Sequence, residues 1–187
     1  MSRPVGLSRP PWRRLALLAL LTLLGACGGS GGGGGPTAPP TPTPGFVFTP
    51  AGVAGANSLS LASGAATTAT TLVLEVRATS VTDLYGVAFN LTYPSAQLQF
   101  VRATAGPLLG AGAVQATVSP AGTLIVGATH LGNVPGATGS GVVMSLEFSA
   151  GTAGTGSFAF ARNSALDSGG LPLAGITWVA GAVTLTK

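Results

Sequence analysis

The stretch DLYGVAFNLTYPSAQLQF, residues 83–100, decides the fold class. Its first half alternates without a slip: Val87, Phe89, Leu91 and Tyr93 project to one side of an extended chain, and Gly86, Ala88, Asn90 and Thr92 to the other. The first set is a core face. The second is small, level and uncharged, so a partner's backbone could approach it closely with little side-chain entropy lost.

The same pattern extends in both directions. From about Phe46 onward, apolar and β-branched runs at 71–78, 84–93, 97–104, 113–119, 123–130, 141–150, 156–162 and 176–185 are each bounded by Gly, Pro, Ser or Asn. Further inward positions are Leu72, Leu74 and Val76, then Leu98 and Phe100, Met144, Leu146 and Phe148, and finally Phe158 and Phe160. No segment sustains a helical period. Short strands at regular spacing predict an all-β, two-sheet sandwich, long enough to close one core without disulfides.

Composition bounds the function. The chain has 187 residues, 46% hydrophobic and only 6% charged, with 30 Gly and 14 Pro. Its net charge of +4 comes from Arg3, Arg9, Arg13 and Arg14 before the first apolar run. Beyond them, Arg77, Arg102, Arg162 and Lys187 balance Glu75, Asp83, Glu147 and Asp167. The domain is neutral, with no cluster of cations to replace phosphate counterions, which argues against a nucleic-acid partner.

The basic leader has another use. Arg13-Arg14 followed by LALLALLTLLGA is a charged segment and a short apolar segment ending in small residues, so residues 1–26 are expected to be an export signal. Leu24-Gly25-Ala26-Cys27 resembles a bacterial lipobox and implies that Cys27, the only cysteine, carries a lipid anchor to a membrane. Gly28, where an Asp would favour the inner membrane, points to the outer membrane or cell surface. Residues 27–45, GGSGGGGGPTAPPTPTPG after the cysteine, form a tether that is loose in its glycine half and stiff in its Pro-Thr half. The expected domain is 46–187.

Catalysis is poorly supplied. Glycosidic hydrolysis ordinarily uses two carboxyl groups, and Glu75 sits two residues from Arg77 on one strand face, the pattern of a surface ion pair. His130 stands alone at a strand end. Asp167-Ser168-Gly169-Gly170 offers one carboxylate where calcium wants six to eight oxygens, and so reads as a turn. The glycine run lacks the lysine of a phosphate-binding loop. The sequence implies no enzyme, no cofactor and no metal.

Residues 57–187 carry a family resemblance. TLVLEVRATSVTDLYGVAFNLTYPSAQLQFVRATAGPLLG, then GTLIVGATHLG, then GATGSGVVMSLEFSAGTAGTGSFAF and ALDSGG, resemble a cohesin domain in order and spacing. The resemblance implies a nine-stranded jelly roll, a fold shared with carbohydrate-binding modules, and a role in holding a dockerin-like or other protein partner. It places the strands of Glu75 and Glu147 side by side. It also places the strand of residues 83–93 in the docking sheet, beside those of 123–130 and 156–162. The implied binding face is Gly86, Ala88, Asn90 and Thr92, with Thr123, Ile125, Gly127 and Thr129 on one flank and Ser157, Ala159 and Ala161 on the other. Dockerin-binding members present amide and carboxylate groups near the positions of Gly86 and Ala88, and this chain has neither. The alternative on the same fold is polysaccharide binding, for which Trp178 is the one tryptophan beyond the leader.

Overall fold

The computed structural model describes residues 43–187. The expected export signal, Cys27 and most of the expected tether lie outside them.

Eleven strands form two sheets. β1 (Gly45–Pro50), β4 (Gly86–Thr92), β6 (Ala113–Val118), β7 (Thr123–Thr129), β9 (Gly154–Leu166) and β11 (Gly181–Thr186) make one, in the order β1-β11-β9-β4-β7-β6. β2 (Ser58–Ser63), β3 (Thr71–Leu84), β5 (Leu98–Ala105), β8 (Ala137–Ala150) and β10 (Thr177–Val179) make the other, in the order β10-β2-β3-β8-β5. The only helix among the described residues is a single 3-10 turn at Pro107–Leu109. The fold is the expected β-sandwich, but with eleven strands in place of nine. To the eight runs read from the sequence, GFVFTP and SLSLAS add β1 and β2, and the run at 176–185 divides into two strands. The chain crosses between the sheets at Ala180: β10 runs parallel to β2, and β11 pairs antiparallel with β1 and β9.

The core is the set of alternate positions read from the sequence. Leu72, Leu74, Val76, Leu91, Leu98, Met144, Leu146 and Phe148 are fully buried, and Val87, Phe89, Tyr93 and Phe158 nearly so. Leu59 and Leu61 of β2 complete the opposite wall. Fully burying each large side chain contributes about 1.5–3 kcal/mol. Phe100 and Phe160 point inward but are only half-buried. Phe100 lies on an edge strand, next to a register shift against β8. Among the described residues every core residue lies within β1 to β11 or their connections, so this unit closes its own core.

The long strand β3 needs a separate account, because plain alternation fails after Ala78. Its inward residues become Ala78, Val81 and Leu84, each three apart. Register shifts against β8 fall between these residues, with Ser80 and Asp83 in the left-handed region at φ 48 and 56. Side chains from β8 replace the interrupted ladder: Ser140 Oγ accepts from Ser80 N–H at 2.8 Å and Thr138 Oγ1 from Asp83 N–H at 3.1 Å. A strand that would otherwise turn apolar residues outward thus keeps Val81 and Leu84 in the core.

Candidate docking face

The outer face of the six-stranded sheet is built on β4, which lies between β9 and β7, with β6 beyond β7. Register fixes the rows across it. Ala88 lies opposite Gly127, which lies opposite Gln115 of β6. Asn90 lies opposite Ile125, which lies opposite Thr117. On the other flank Ala88 meets Ser164, Asn90 meets Ala161 and Thr92 meets Ala159. Ala88, Thr92, Ser157, Ala159 and Ala161 are exposed, while Asn90, Thr123, Gly127 and Thr129 are half-exposed. Ile125, 48% exposed, is the one large apolar side chain in these rows. Gly86 departs from expectation: it is buried, and a Cβ there would lie 3.3 Å from the carbonyl oxygen of Ala128 and 3.4 Å from Thr129 Oγ1. It forms floor and offers no exposed contact.

The face is concave at one end. A groove of about 780 Å³ runs over Ala88, Ile125 and Gly127, walled by Ala113, Gln115 and Thr117 of β6 and by the turn Asp167–Gly170. Its volume falls in the range of ligand-binding clefts. Gly127 leaves a bare spot in its floor, for a Cβ there would meet nothing within 4 Å. Sequence periodicity could not find the β6 wall. The run at 113–119 reads as a strand, but its place in this sheet depends on long-range pairing.

The turn wall is held by two carboxylates. Asp167 Oδ1 accepts from the N–H groups of Gly169 at 2.9 Å and Leu171 at 2.8 Å, and Gly170 takes φ 77. This is an Asx-type turn, as the sequence implied. Asp83 ties the turn to its neighbour: Oδ2 accepts from Ser168 Oγ–H at 2.9 Å, and Oδ1 accepts from Gly136 N–H at 2.8 Å. The Ser168 hydroxyl first, and then the Gly136 amide, hold the Asp83 carboxyl below the usual carboxylate range. Among the described residues no three His, Cys, Asp or Glu side chains gather in a way that could hold a metal ion.

The remaining singled-out residues are placed elsewhere. On the five-stranded sheet Arg77 pairs with Glu75 at 2.7 Å and Arg102 with Glu147 at 2.7 Å. β3 and β8 are adjacent, with Glu147 opposite Val73, so the two glutamates sit on neighbouring strands. Each carboxylate is engaged by its own arginine. His130 directly follows β7: its backbone N–H donates to Tyr85 O at 2.9 Å, its ring centroid lies 5.5 Å from that of Tyr85, and its buried Nε2 has no hydrogen-bond partner. Tyr85 OH donates to Gly132 O. Trp178 is not a free platform. Its half-buried ring packs edge-on against Phe89 and Phe160, with centroids 5.7 and 5.1 Å away. A second hollow of about 200 Å³ touches it between residues 163–165 and 172–178.

No protein-family model and no curated protein matches the chain. Solved structures do. A type II cohesin from Bacteroides cellulosolvens superposes with a TM-score of 0.58 at 16% identity, over 70% of this chain and 99% of that one. The sixth cohesin of scaffoldin B from Acetivibrio cellulolyticus, solved with a Cel5 dockerin, gives 0.56 at 18% identity, over 71% and 100%. A type II cohesin dyad from the ScaA scaffoldin of the same organism gives 0.56 at 17% identity over 70% of this chain, which spans about half, 49%, of the dyad. The sandwich therefore has a cohesin-like fold. Its fold is that of the type II cohesins.

Proposed function

We propose that this chain is a non-catalytic docking module that holds a protein partner, dockerin-like or of another kind, on the outer face of β9, β4, β7 and β6. The observation that carries this reading is the groove itself. Its floor is a level run of Gly86, Ala88 and Gly127 beside one exposed isoleucine, Ile125. Small side chains admit a partner's backbone and lose little entropy on docking, while Ile125 supplies an apolar anchor. The Acetivibrio cohesin that shares the fold was solved with a dockerin, which supports a protein occupant. Glu75, Arg77, Arg102 and Glu147 on the opposite sheet are spent in ion pairs. The module is carried at a membrane by a lipid on Cys27, in the outer membrane or at the cell surface, at the end of the Gly/Pro/Thr tether. The test is capture of partners with the domain as bait, repeated with Ala88→Arg: loss of capture by a folded variant supports the reading, and equal capture refutes it.

A further inference from the structure

The four edge strands of the two sheets differ in how they discourage a further strand. β10 is only three residues long, β1 ends in Pro50, and β5 carries Arg102 beside a register shift. These are the ordinary protections of a sheet edge. β6 has none of them. AVQATV contains no charge and no proline, its register to β7 is unbroken from Ala113 to Val118, and Val118 is 41% exposed.

The direction of its free backbone groups follows from the hydrogen bonds on either side. Ser119 N–H donates to Thr123 O across the β6–β7 turn, while Tyr93 N–H donates to Gly122 O and His130 N–H to Tyr85 O at the two ends of the β4–β7 pair. Alternate residues of an antiparallel strand bond to the same neighbour. The even-numbered residues of β7 therefore bond to β4 and the odd-numbered ones to β6, where their partners are Ala113, Gln115 and Thr117. Val114, Ala116 and Val118 then direct their N–H and C=O groups out of the sheet.

We propose that β6 pairs antiparallel with β6 of a second copy of this chain, about a two-fold axis at Ala116, joining two six-stranded sheets through one seam. The local sequence selects a second copy as the occupant. Val114-Gln115-Ala116-Thr117-Val118 reads nearly alike in both directions. Residues opposite one another in a ladder share a face, so the axis sets Val114 against Val118 on the inner side and Gln115 against Thr117 on the groove side. The exposed Val118 is covered by an apolar side chain, and an amide meets a hydroxyl. An uncharged strand brings no repulsion to its own copy. A seam of five residues, Val114 to Val118, buries less than the roughly 1,200 Å² of stable interfaces, so the dimer is weak and concentration-dependent. The inference does not rest on the docking reading, although Gln115 and Thr117 also wall the groove and the seam would set two grooves side by side.

Sedimentation equilibrium of residues 40–187, the unit that closes its own core, tests it. The expected result is a mean mass that rises from monomer toward dimer between micromolar and millimolar concentration. Ala116→Pro, at a position whose N–H points out of the sheet, should hold the protein monomeric, as should the doubly exposed variant Gln115→Lys/Thr117→Lys. Mixing Gln115→Glu with Thr117→Lys should give a heterodimer about threefold tighter than either variant alone at low salt. A monomer at every concentration, a dimer unaffected by both blocking variants, or a mixture no tighter than its parts would overturn the proposal.

Discussion

Ser168 donates its hydroxyl hydrogen bond to Asp83 across 85 residues of sequence, at 2.9 Å. The contact joins the end of β3 to the turn that walls the groove, and the same carboxylate binds the Gly136 amide on a third segment. One half-exposed carboxylate thus ties two loops to the end of β3.

That arrangement has a pH signature. The native carboxyl of Asp83 is lowered from 3.8, so its contribution to stability is complete above that value and is lost as pH falls through the lower native value. Asp83→Ala should reduce the urea midpoint at pH 7. The difference from wild type should shrink as pH falls below about 3.8. A pH-independent difference would show that the backbone conformation of Asp83, and not its charge, carries the effect.

Gly127 separates folding from docking. A Cβ there meets nothing within 4 Å, and its strand lies between β4 and β6. Gly127→Val should leave stability equal to wild type or raise it by up to about 1 kcal/mol, because β-branched residues suit strands. It should also fill the groove floor and weaken partner binding at least tenfold. A variant that binds normally would place the partner elsewhere.

Trp178→Ala distinguishes packing from sugar binding. The ring seals Phe89 and Phe160, so its removal should cost about 2 kcal/mol in chemical denaturation, roughly half the loss for a fully buried aromatic. Arg102→Ala, by contrast, breaks an exposed pair with Glu147 and should change stability by less than about 1 kcal/mol.

The anchor is tested in cells producing the full chain. Cys27→Ser should move the protein from the membrane fraction to the soluble fraction and abolish incorporation of labelled fatty acid. Unchanged membrane association would contradict the lipid anchor.

The sequence carried the parts of the fold that depend on local period. Val87, Phe89, Leu91 and Tyr93 alternate because one face of β4 is solvated, and that alternation placed them in the core correctly. Period could not show that the run at 176–185 divides at Ala180 between two sheets, nor that β3 continues through Ser80 and Asp83 in left-handed conformation. Both are settled by pairing with distant strands. The site was legible to the same degree. Ala88 and Ile125 face outward as read, but the burial of Gly86 comes from the close approach of Ala128 and Thr129. Trp178 is engaged by rings from the opposite sheet, which no spacing along the chain announces.

The most direct measurement of the docking claim is an amide-resolved NMR titration of the domain with a captured partner. The account predicts that shifts concentrate at Ala88, Asn90, Gln115, Ile125 and Gly127, with Glu75 and Arg102 on the opposite sheet unmoved. Perturbations centred on the five-stranded sheet, with those outer-face residues silent, would contradict it.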